Sequence, residues 1–470
     1  MDLNTDILFA ATPLAWGQEF RADIKPPLNL IYLASYLASK GFKTVVHDVI
    51  SSRYSFEKTL ELIRNHKPIF LGIPFYQATL NTATALCKAV KQILPETIIL
   101  AGGAIASTSP ESLLEYPEID ICVIGEGELT VEDLLNTWHK TGSDFFETVP
   151  GLMLKKHGSK ITTPSRRHIE NLDLLPFLDF KLIDIDWYFN YQSSVNMSQW
   201  LFLTTSRGCT AKCTYCATPV IWPGSMRRQS VKRLSEEILH QRKFFPEASF
   251  GFMDDSFFSD KNWLSEFFHA AKALKLRYCC IGRADHLTNG DVKCLAETGC
   301  IYVGLGIETG NQLRQKKLRK HLNLDKVRSA VTMLAAEKIF CKCFFMLGFP
   351  DEAPQEMLET INFAVELKKL GMDECNFFPV SVYPGTELAV NFSNNTNSSA
   401  IYRSSIDENH YAAEKINETT AEARLLRYAN IPVGNVNKYF TTARILEIVK
   451  LAYKKVEIAE IVTLSELKQV

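Results

Sequence analysis

Ser206-Arg207-Gly208-Cys209-Thr210-Ala211-Lys212-Cys213-Thr214-Tyr215-Cys216 follows directly on an apolar run, Trp200–Thr205, so three cysteines fall on one tight loop at the end of a predicted strand. Spaced three residues and then two apart, their thiolates can converge on the irons of one cluster, thiolate being a natural ligand of iron and sulfide. Four ligands close a structural site, whereas three on a four-iron cluster leave one iron open to substrate or cofactor. Arg207 and Lys212 would help hold the thiolates deprotonated, and Gly208 permits a turn that a side chain would obstruct. On the residues alone, a zinc site or a set of buried thiols is the alternative.

Outward from the loop, strand-length and helix-length segments alternate. Downstream the strands are predicted at Ser249–Met253, Arg277–Ile281, Ile301–Ile307, Lys342–Leu347 and Asn376–Val380, with helices such as Lys232–Phe244, Trp263–Leu274, Asp325–Ala336 and Pro354–Leu367 between them. A closed eight-unit barrel needs about 250 residues. Six units over residues 197–390 therefore predict a partial (β/α)6 barrel. Upstream, the same rhythm runs through Asp6–Ala10, Lys43–Asp48, Ile69–Ile73, Thr97–Ala101 and Ile119–Ile124, which predicts an open, doubly wound parallel α/β domain over residues 1–142. Pro150, Gly151, Gly158, Pro164 and Pro176 break that rhythm, so residues 143–196 read as a connector with a small hairpin. Past Pro384-Gly385 the chain turns polar, with a loop expected at Asn391–Ser399 and a mostly helical extension to residue 470.

The composition suits a folded chain with a large core: 470 residues, 46% hydrophobic and 22% charged. Lys+Arg 52 against Asp+Glu 53 leaves a net charge of -1, which argues against nucleic acid as a partner. Neither a basic, apolar leader at Met1-Asp2-Leu3-Asn4 nor an apolar stretch of bilayer length is seen, so the reading is cytoplasmic, with the twelve cysteines expected as thiols or metal ligands.

Gly208-Cys209-x3-Cys213-x2-Cys216, with an aromatic residue before the last cysteine, resembles the signature of the radical S-adenosylmethionine superfamily. Further segments are similar to its cobalamin-binding branch: Phe252-Met253-Asp254-Asp255-Ser256-Phe257, Gly304-Leu305-Gly306-Ile307-Glu308-Thr309-Gly310, Met346-Leu347-Gly348-Phe349-Pro350 and Tyr383-Pro384-Gly385-Thr386. In the first half, Pro26-Pro27-Leu28-Asn29-Leu30, Ala101-Gly102-Gly103-Ala104, Ile124-Gly125-Glu126-Gly127-Glu128 and Asn171-Leu172-Asp173-Leu174-Leu175-Pro176 agree with it. The likeness covers residues 5–390.

The resemblance implies a Rossmann-like, flavodoxin-like cobalamin domain ahead of a radical S-adenosylmethionine barrel. It implies an enzyme whose 4Fe-4S cluster, on Cys209, Cys213 and Cys216, cleaves S-adenosylmethionine reductively to a deoxyadenosyl radical that abstracts hydrogen. Tyr215, Asp254, Asp255, Arg283 and Glu308 are the implied S-adenosylmethionine residues: carboxylate for the methionyl ammonium, Arg283 for its carboxylate, Glu308 for the ribose hydroxyls. Gln77, Thr79, Gly102, Gly103, Gly125, Glu126 and Gly127 are the implied cobalamin residues; no Asp-x-His-x-x-Gly supplies a histidine to cobalt. Methylation of an unactivated carbon on a small-molecule, lipid or natural-product substrate leads the expected functions, with a peptide also open as the substrate. An external donor such as flavodoxin or ferredoxin would supply electrons. Cyclisation or rearrangement comes second. A methylthiotransferase would want more cluster cysteines in the first half, where only Cys87 and Cys122 occur, and a non-catalytic cobalamin or iron-sulfur sensor is the reading outside enzymology.

Other features take plainer expectations. The basic run Arg314-Gln315-Lys316-Lys317-Leu318-Arg319-Lys320-His321 reads as a solvated helix face, and Cys279, Cys280, Cys300, Cys341 and Cys343 as core residues. Trp16 and Trp222 are packing aromatics or cofactor covers, and His47, His168, His286 and His321 have no metal-site spacing.

Overall fold

The computed structural model describes residues 5–13, 25–49, 55–194, 199–224, 226–396 and 436–469, which leaves Trp16 outside the described residues. The chain forms two compact units, Met1–Gln199 with Val220–Pro223, and Trp200–Pro219 with Gly224–Val470. No helix among the described residues is long and apolar enough to cross a membrane.

The first unit is built on seven strands: β1 (Ile7–Ala11), β2 (Thr44–Asp48), β3 (Phe70–Pro74), β4 (Ile98–Gly102), β5 (Ile121–Val123), β6 (Leu152–Lys156) and β7 (Ser159–Thr162). Their order is β2-β1-β3-β4-β5-β6-β7. The first five run parallel, with Leu8, Leu71 and Ile99 buried on one face and Phe9, Phe70 and Leu100 on the other, as a sheet covered on both faces requires. Because the chain leaves β1 first to one side and then to the other, the switch point of this sheet lies between the carboxyl ends of β1 and β3. The expected connector hairpin is an extension of the sheet: β6 pairs antiparallel with β5, Cys122 opposite Met153, and β7 pairs antiparallel with β6. Without them the short β5 would be an open edge.

The second unit holds β8 (Trp200–Leu203), a two-stranded ribbon of β9 (Ser206–Arg207) and β10 (Arg227–Arg228), then β11 (Ser249–Phe252), β12 (Tyr278–Gly282), β13 (Cys300–Glu308), β14 (Phe340–Leu347) and β15 (Glu374–Pro379). The six long strands are parallel and lie in chain order from β8 to β15, with no pairing between those two ends. This is the partial barrel. Helices Val231–Arg242, Lys261–Ala273, Asn289–Glu297, Leu324–Ala336 and Pro354–Lys369 supply the crossovers. In the register, Leu305, Cys343 and Cys375 share one face, with Cys343 fully buried, while Gly304, Lys342 and Glu374 share the other. Cys280, Cys300 and Cys341 are buried as well, and Cys279 is half-buried.

Helix Glu387–Thr396 occupies most of the segment expected as a loop; residues 397–399 lie outside the described residues. The Thr386 hydroxyl accepts Ala389 N–H at 3.2 Å, and Leu388, Ala389 and Phe392 pack against Leu318, Phe349, Val380 and Val382. That burial outweighs the poor helix propensity of the asparagines. Helix Thr442–Glu457 lies along β15, where the Tyr453 hydroxyl accepts Phe377 N–H at 2.9 Å and so occupies a donor on the sheet's free edge. Tyr453→Phe leaves that buried N–H unpaired and should cost about 1–3 kcal/mol, read as a lower urea midpoint at unchanged m-value.

Candidate functional site

The cysteine loop is anchored at both ends and in its middle. At its start, β9 pairs with β10, Ser206 opposite Arg228, and Gly208 takes φ +90°, a left-handed turn that favours glycine. In its middle, buried Thr214 donates its N–H to Leu318 O at 3.0 Å, and its carbonyl accepts Leu388 N–H at 2.9 Å. Cys209, Cys213 and Cys216 are half-buried residues around that rooted one, and Thr218 N–H donates to Cys216 Sγ at 3.4 Å. Among the described residues no group of three or more His, Cys, Asp or Glu side chains converges on a point as a single metal ion would require. Three cysteine thiols on one loop are a donor set that suits an iron-sulfur cluster.

Burial pushes the Cys213 and Cys216 thiols up. At Cys213 the charges that oppose burial most are Lys320 and Arg283, not the expected Arg207 and Lys212; Lys212 is exposed. The Tyr215 hydroxyl bonds the Cys213 thiol, and its ring meets Phe349 edge-on at 6.1 Å. Thus Cys213, Tyr215, Arg283 and Glu308 come together in one electrostatic neighbourhood, and Asp255 acts on Cys216.

The two adjacent aspartates have separate fates. Asp254 is buried beneath the loop's start: Oδ1 accepts Thr205 N–H at 2.9 Å, the Thr205 hydroxyl at 3.0 Å and the Ser206 hydroxyl, while Oδ2 is buried with no partner. Arg228 completes the arrangement by donating to Thr205 Oγ1 at 3.0 Å. Asp255 is exposed, yet desolvation by the protein around it and the neighbouring Asp254 push its carboxyl up to about 6, against a hydrogen bond to Thr218.

Arg283 grips Asp285 in a fork (Nε to Oδ1 3.0 Å, Nη2 to Oδ2 2.8 Å) and donates to Lys320 O at 2.8 Å. Glu308 ends β13 beyond a register shift, with φ +69°, and accepts Lys320 Nζ at 2.8 Å. Lys320 is therefore a site residue that sequence reasoning missed. The basic run is not a solvated face throughout. Lys317 and Arg319 are exposed, but Arg314 is buried on Glu356 (Nη2 to Oε2 2.7 Å) and Asp351 (Nη1 to Oδ1 2.9 Å), and Lys320 on Glu308. Nothing local in the sequence marks the difference, because each acidic partner is 12 or more residues away.

Glu352 was also missed. It is fully buried after β14, where Oε2 accepts Gly348 N–H at 2.7 Å and Phe349 N–H at 3.1 Å while Oε1 has no partner, and burial pushes its carboxyl up to about 7. Between pH 4.5, the ordinary value, and about 7, the unfolded chain has lost this proton while the native one keeps it. Stability should therefore fall as pH rises through that window, by at most about 3 kcal/mol, and level off above it. Denaturant midpoints taken from pH 5 to 8 should show the slope, and Glu352→Gln should flatten it.

Among the described residues of the first unit, three buried polar atoms without hydrogen-bond partners cluster by sequence at the switch point: Thr12 Oγ1 after β1, and Gln77 Oε1 and Thr79 Oγ1 after β3. Thr12 was not anticipated, although a polar residue directly after an apolar strand is the kind of signal that finds it. The glycines divide by role. A Cβ on Gly102 would meet nothing within 4 Å, which leaves room for a ligand. Gly103 (φ +82°) is demanded by the fold, since its Cβ would lie 3.2 Å from the Phe75 backbone, and Gly127 by helix packing, 3.2 Å from Leu33. Gly125 N–H donates to Ser107 Oγ at 3.0 Å, tying helix Gly103–Thr108, which follows β4, to the end of β5. Glu126 is a tie as well, accepting Ile169 N–H at 3.0 Å and Trp222 Nε1–H at 3.1 Å. Orphaned acceptors and open glycine backbone at this edge fit a large polar-rimmed ligand such as a corrin.

Comparison with known proteins supports both halves. Residues 21–135 match the B12 binding domain family and residues 203–364 the Radical SAM superfamily. An uncharacterised methyltransferase of Pyrococcus horikoshii is 29% identical over 368 residues, 77% of each chain. Cytidylyl-2-hydroxyethylphosphonate methyltransferase of Streptomyces wedmorensis is 26% identical over 415 residues, again 77% of each. In fold, the chain is similar to the radical S-adenosylmethionine methyltransferase TsrM of Kitasatospora setae, solved with cobalamin and a [4Fe-4S] cluster, at TM-score 0.70 and 14% identity over 83% of this chain and 75% of that one.

A partial barrel with a three-cysteine loop at its mouth, in one chain with a B12-binding sheet, defines a radical S-adenosylmethionine enzyme. The chain belongs to the cobalamin-binding radical S-adenosylmethionine enzyme family, whose cofactors are a 4Fe-4S cluster, S-adenosylmethionine and cobalamin.

Proposed function

We propose that this enzyme transfers a methyl group to an unactivated carbon of a small-molecule, lipid or natural-product substrate. The observation that carries the reading is the pairing, in one chain, of a loop with three half-buried cysteines and a sheet with buried, unpartnered polar atoms directly after the two strands of its switch point. When bound, the cluster and S-adenosylmethionine supply radical hydrogen abstraction, and cobalamin supplies the methyl group.

Cys209, Cys213 and Cys216 would hold the cluster. Asp255, whose carboxylate is accessible, would accept from the methionyl ammonium, and Glu308 from the ribose hydroxyls. Arg283, already forked onto Asp285, keeps Nη1 outside its three bonds and would meet the methionyl carboxylate with it. Gly102, Gln77 and Thr79, with Thr12 beside them, would face the corrin. Asp254 and Glu126 act as anchors for the segments that carry these groups. A flavodoxin or ferredoxin class donor in the cytoplasm would deliver the electron.

The test is anaerobic reconstitution with iron, sulfide and cobalamin, followed by S-adenosylmethionine, reductant and candidate substrates read by mass spectrometry. The expected result is 5′-deoxyadenosine together with a product one methyl group heavier. Deoxyadenosine with an unmethylated, rearranged product would replace methylation by cyclisation or rearrangement. A loaded protein that makes no deoxyadenosine would overturn the enzymatic reading in favour of a sensor.

A further inference from the structure

Beyond helix Gln312–Lys317 the chain turns twice through the left-handed region, at Arg319 (φ 53°) and His321 (φ 54°). Neither is glycine, so each turn is strained by its Cβ. Both are held by one carbonyl, Gln315 O, which accepts Lys320 N–H at 3.1 Å and His321 N–H at 3.0 Å. Glu308 (φ 69°) is strained in the same sense. Three such residues around one point mark a geometry that the fold maintains at a cost.

That geometry aims Lys320 inward, with 7% of its side chain exposed. It meets two parts of the site, and its turn meets a third. Its ammonium donates to Glu308 Oε1 at 2.8 Å, its carbonyl accepts Arg283 Nη2 at 2.8 Å, and Leu318 O, two residues earlier, accepts Thr214 N–H between Cys213 and Cys216 at 3.0 Å. Room for the ion pair comes from Gly306, where a Cβ would lie 2.9 Å from Glu308 Oε1 and 3.2 Å from Lys320 Nζ. Glycine at that position on β13 is thus explained by the pair.

We propose that Lys320 is a positioning residue for the S-adenosylmethionine site: it fixes the Glu308 carboxylate and sets a positive charge beside the Cys213 corner of the cluster. This rests on the cluster and ribose assignments made above. A buried ammonium near the cluster favours the added electron, so its removal should make the cluster harder to reduce. Freed from its partner, Glu308 would also lose its single orientation.

The experiment compares wild type with Lys320→Met, Lys320→Arg and Gly306→Ala after anaerobic reconstitution. Iron per chain, the midpoint potential from EPR-monitored titration, and S-adenosylmethionine affinity by equilibrium dialysis are measured. Lys320→Met should keep its iron, bind S-adenosylmethionine about tenfold or more weakly, and titrate at a more negative potential. Lys320→Arg should restore the potential but not the full affinity, because a planar fork cannot reproduce a point contact in the space Gly306 leaves. If Lys320→Met fails to fold or load, Gly306→Ala carries the test: it displaces the pair without removing charge, and should weaken binding at an unchanged potential. Wild-type affinity and potential in Lys320→Met, or wild-type affinity in Gly306→Ala, would overturn the proposal. A wild-type chain that takes up no cluster would refute the earlier assignment, and this one with it.

Discussion

Cys213→Ala should lose its cluster and all S-adenosylmethionine cleavage while corrin binding stays at the wild-type level. Two thiolates remain on the loop, and two cannot hold a cubane whose third protein ligand is gone. Cys213 is also the thiol on which Tyr215, Lys320, Arg283 and Glu308 act, so no neighbouring cysteine can take its place in that setting. The loop's backbone should survive, because its anchors are the main chain of Thr214 and the ribbon of β9 with β10, neither of which uses the Cys213 side chain. Iron and sulfide per chain should fall to background and the reduced-cluster EPR signal should vanish. The corrin absorption spectrum acquired on adding cobalamin should match wild type, since the polar atoms at the switch point belong to another sheet. Cys294→Ala, at a half-buried thiol on helix Asn289–Glu297, is the control and should keep its iron. A Cys213→Ala protein that still holds a full cubane would show that the loop is not the cluster site.

The parts of this site that local spacing determines were legible in the sequence. The x3, x2 cysteine rhythm needs only a turn, and the strands alternate because a parallel sheet demands a crossover between neighbours. What escaped was long-range. Lys320 and Arg314 sit in a run of like charges from which only burial against Glu308, Glu356 and Asp351 singles them out, and no i,i+4 pattern encodes that. The two glycines of Gly102-Gly103 look alike in sequence. One leaves space open and the other is forced by a backbone crossing at Phe75, a distinction that only the packing of β3 beside β4 makes. Helix Glu387–Thr396 was hidden for the converse reason: its asparagines predict a loop, and three apolar residues on one side override them once Leu318 and Phe349 are there to receive them.

Asp254 separates a ligand role from an anchoring role by the contrast between two substitutions. Asp254→Ala strips the acceptor from three donors at once, Thr205 N–H and the Thr205 and Ser206 hydroxyls, and leaves Arg228 facing a buried gap. Breaking a buried, charge-assisted set of this kind costs about 3–5 kcal/mol. Because the donors sit immediately before Gly208, the damage should reach the cluster as well: iron loading falls, and the thermal midpoint drops by several degrees. Asp254→Asn, by contrast, keeps an oxygen where Oδ1 accepts those donors and places its amide at Oδ2, which has no partner to lose. It should lose the carboxylate's attraction to Arg228 and little else, retaining iron and costing about 1–2 kcal/mol. Were Asp254 instead the acceptor for the methionyl ammonium, the pattern would reverse: both variants would load iron, and both would bind S-adenosylmethionine weakly. Equal iron content in the alanine and asparagine proteins, with affinity lost in each, would move the ligand role from Asp255 to Asp254 and leave the start of the loop without the anchor assigned to it.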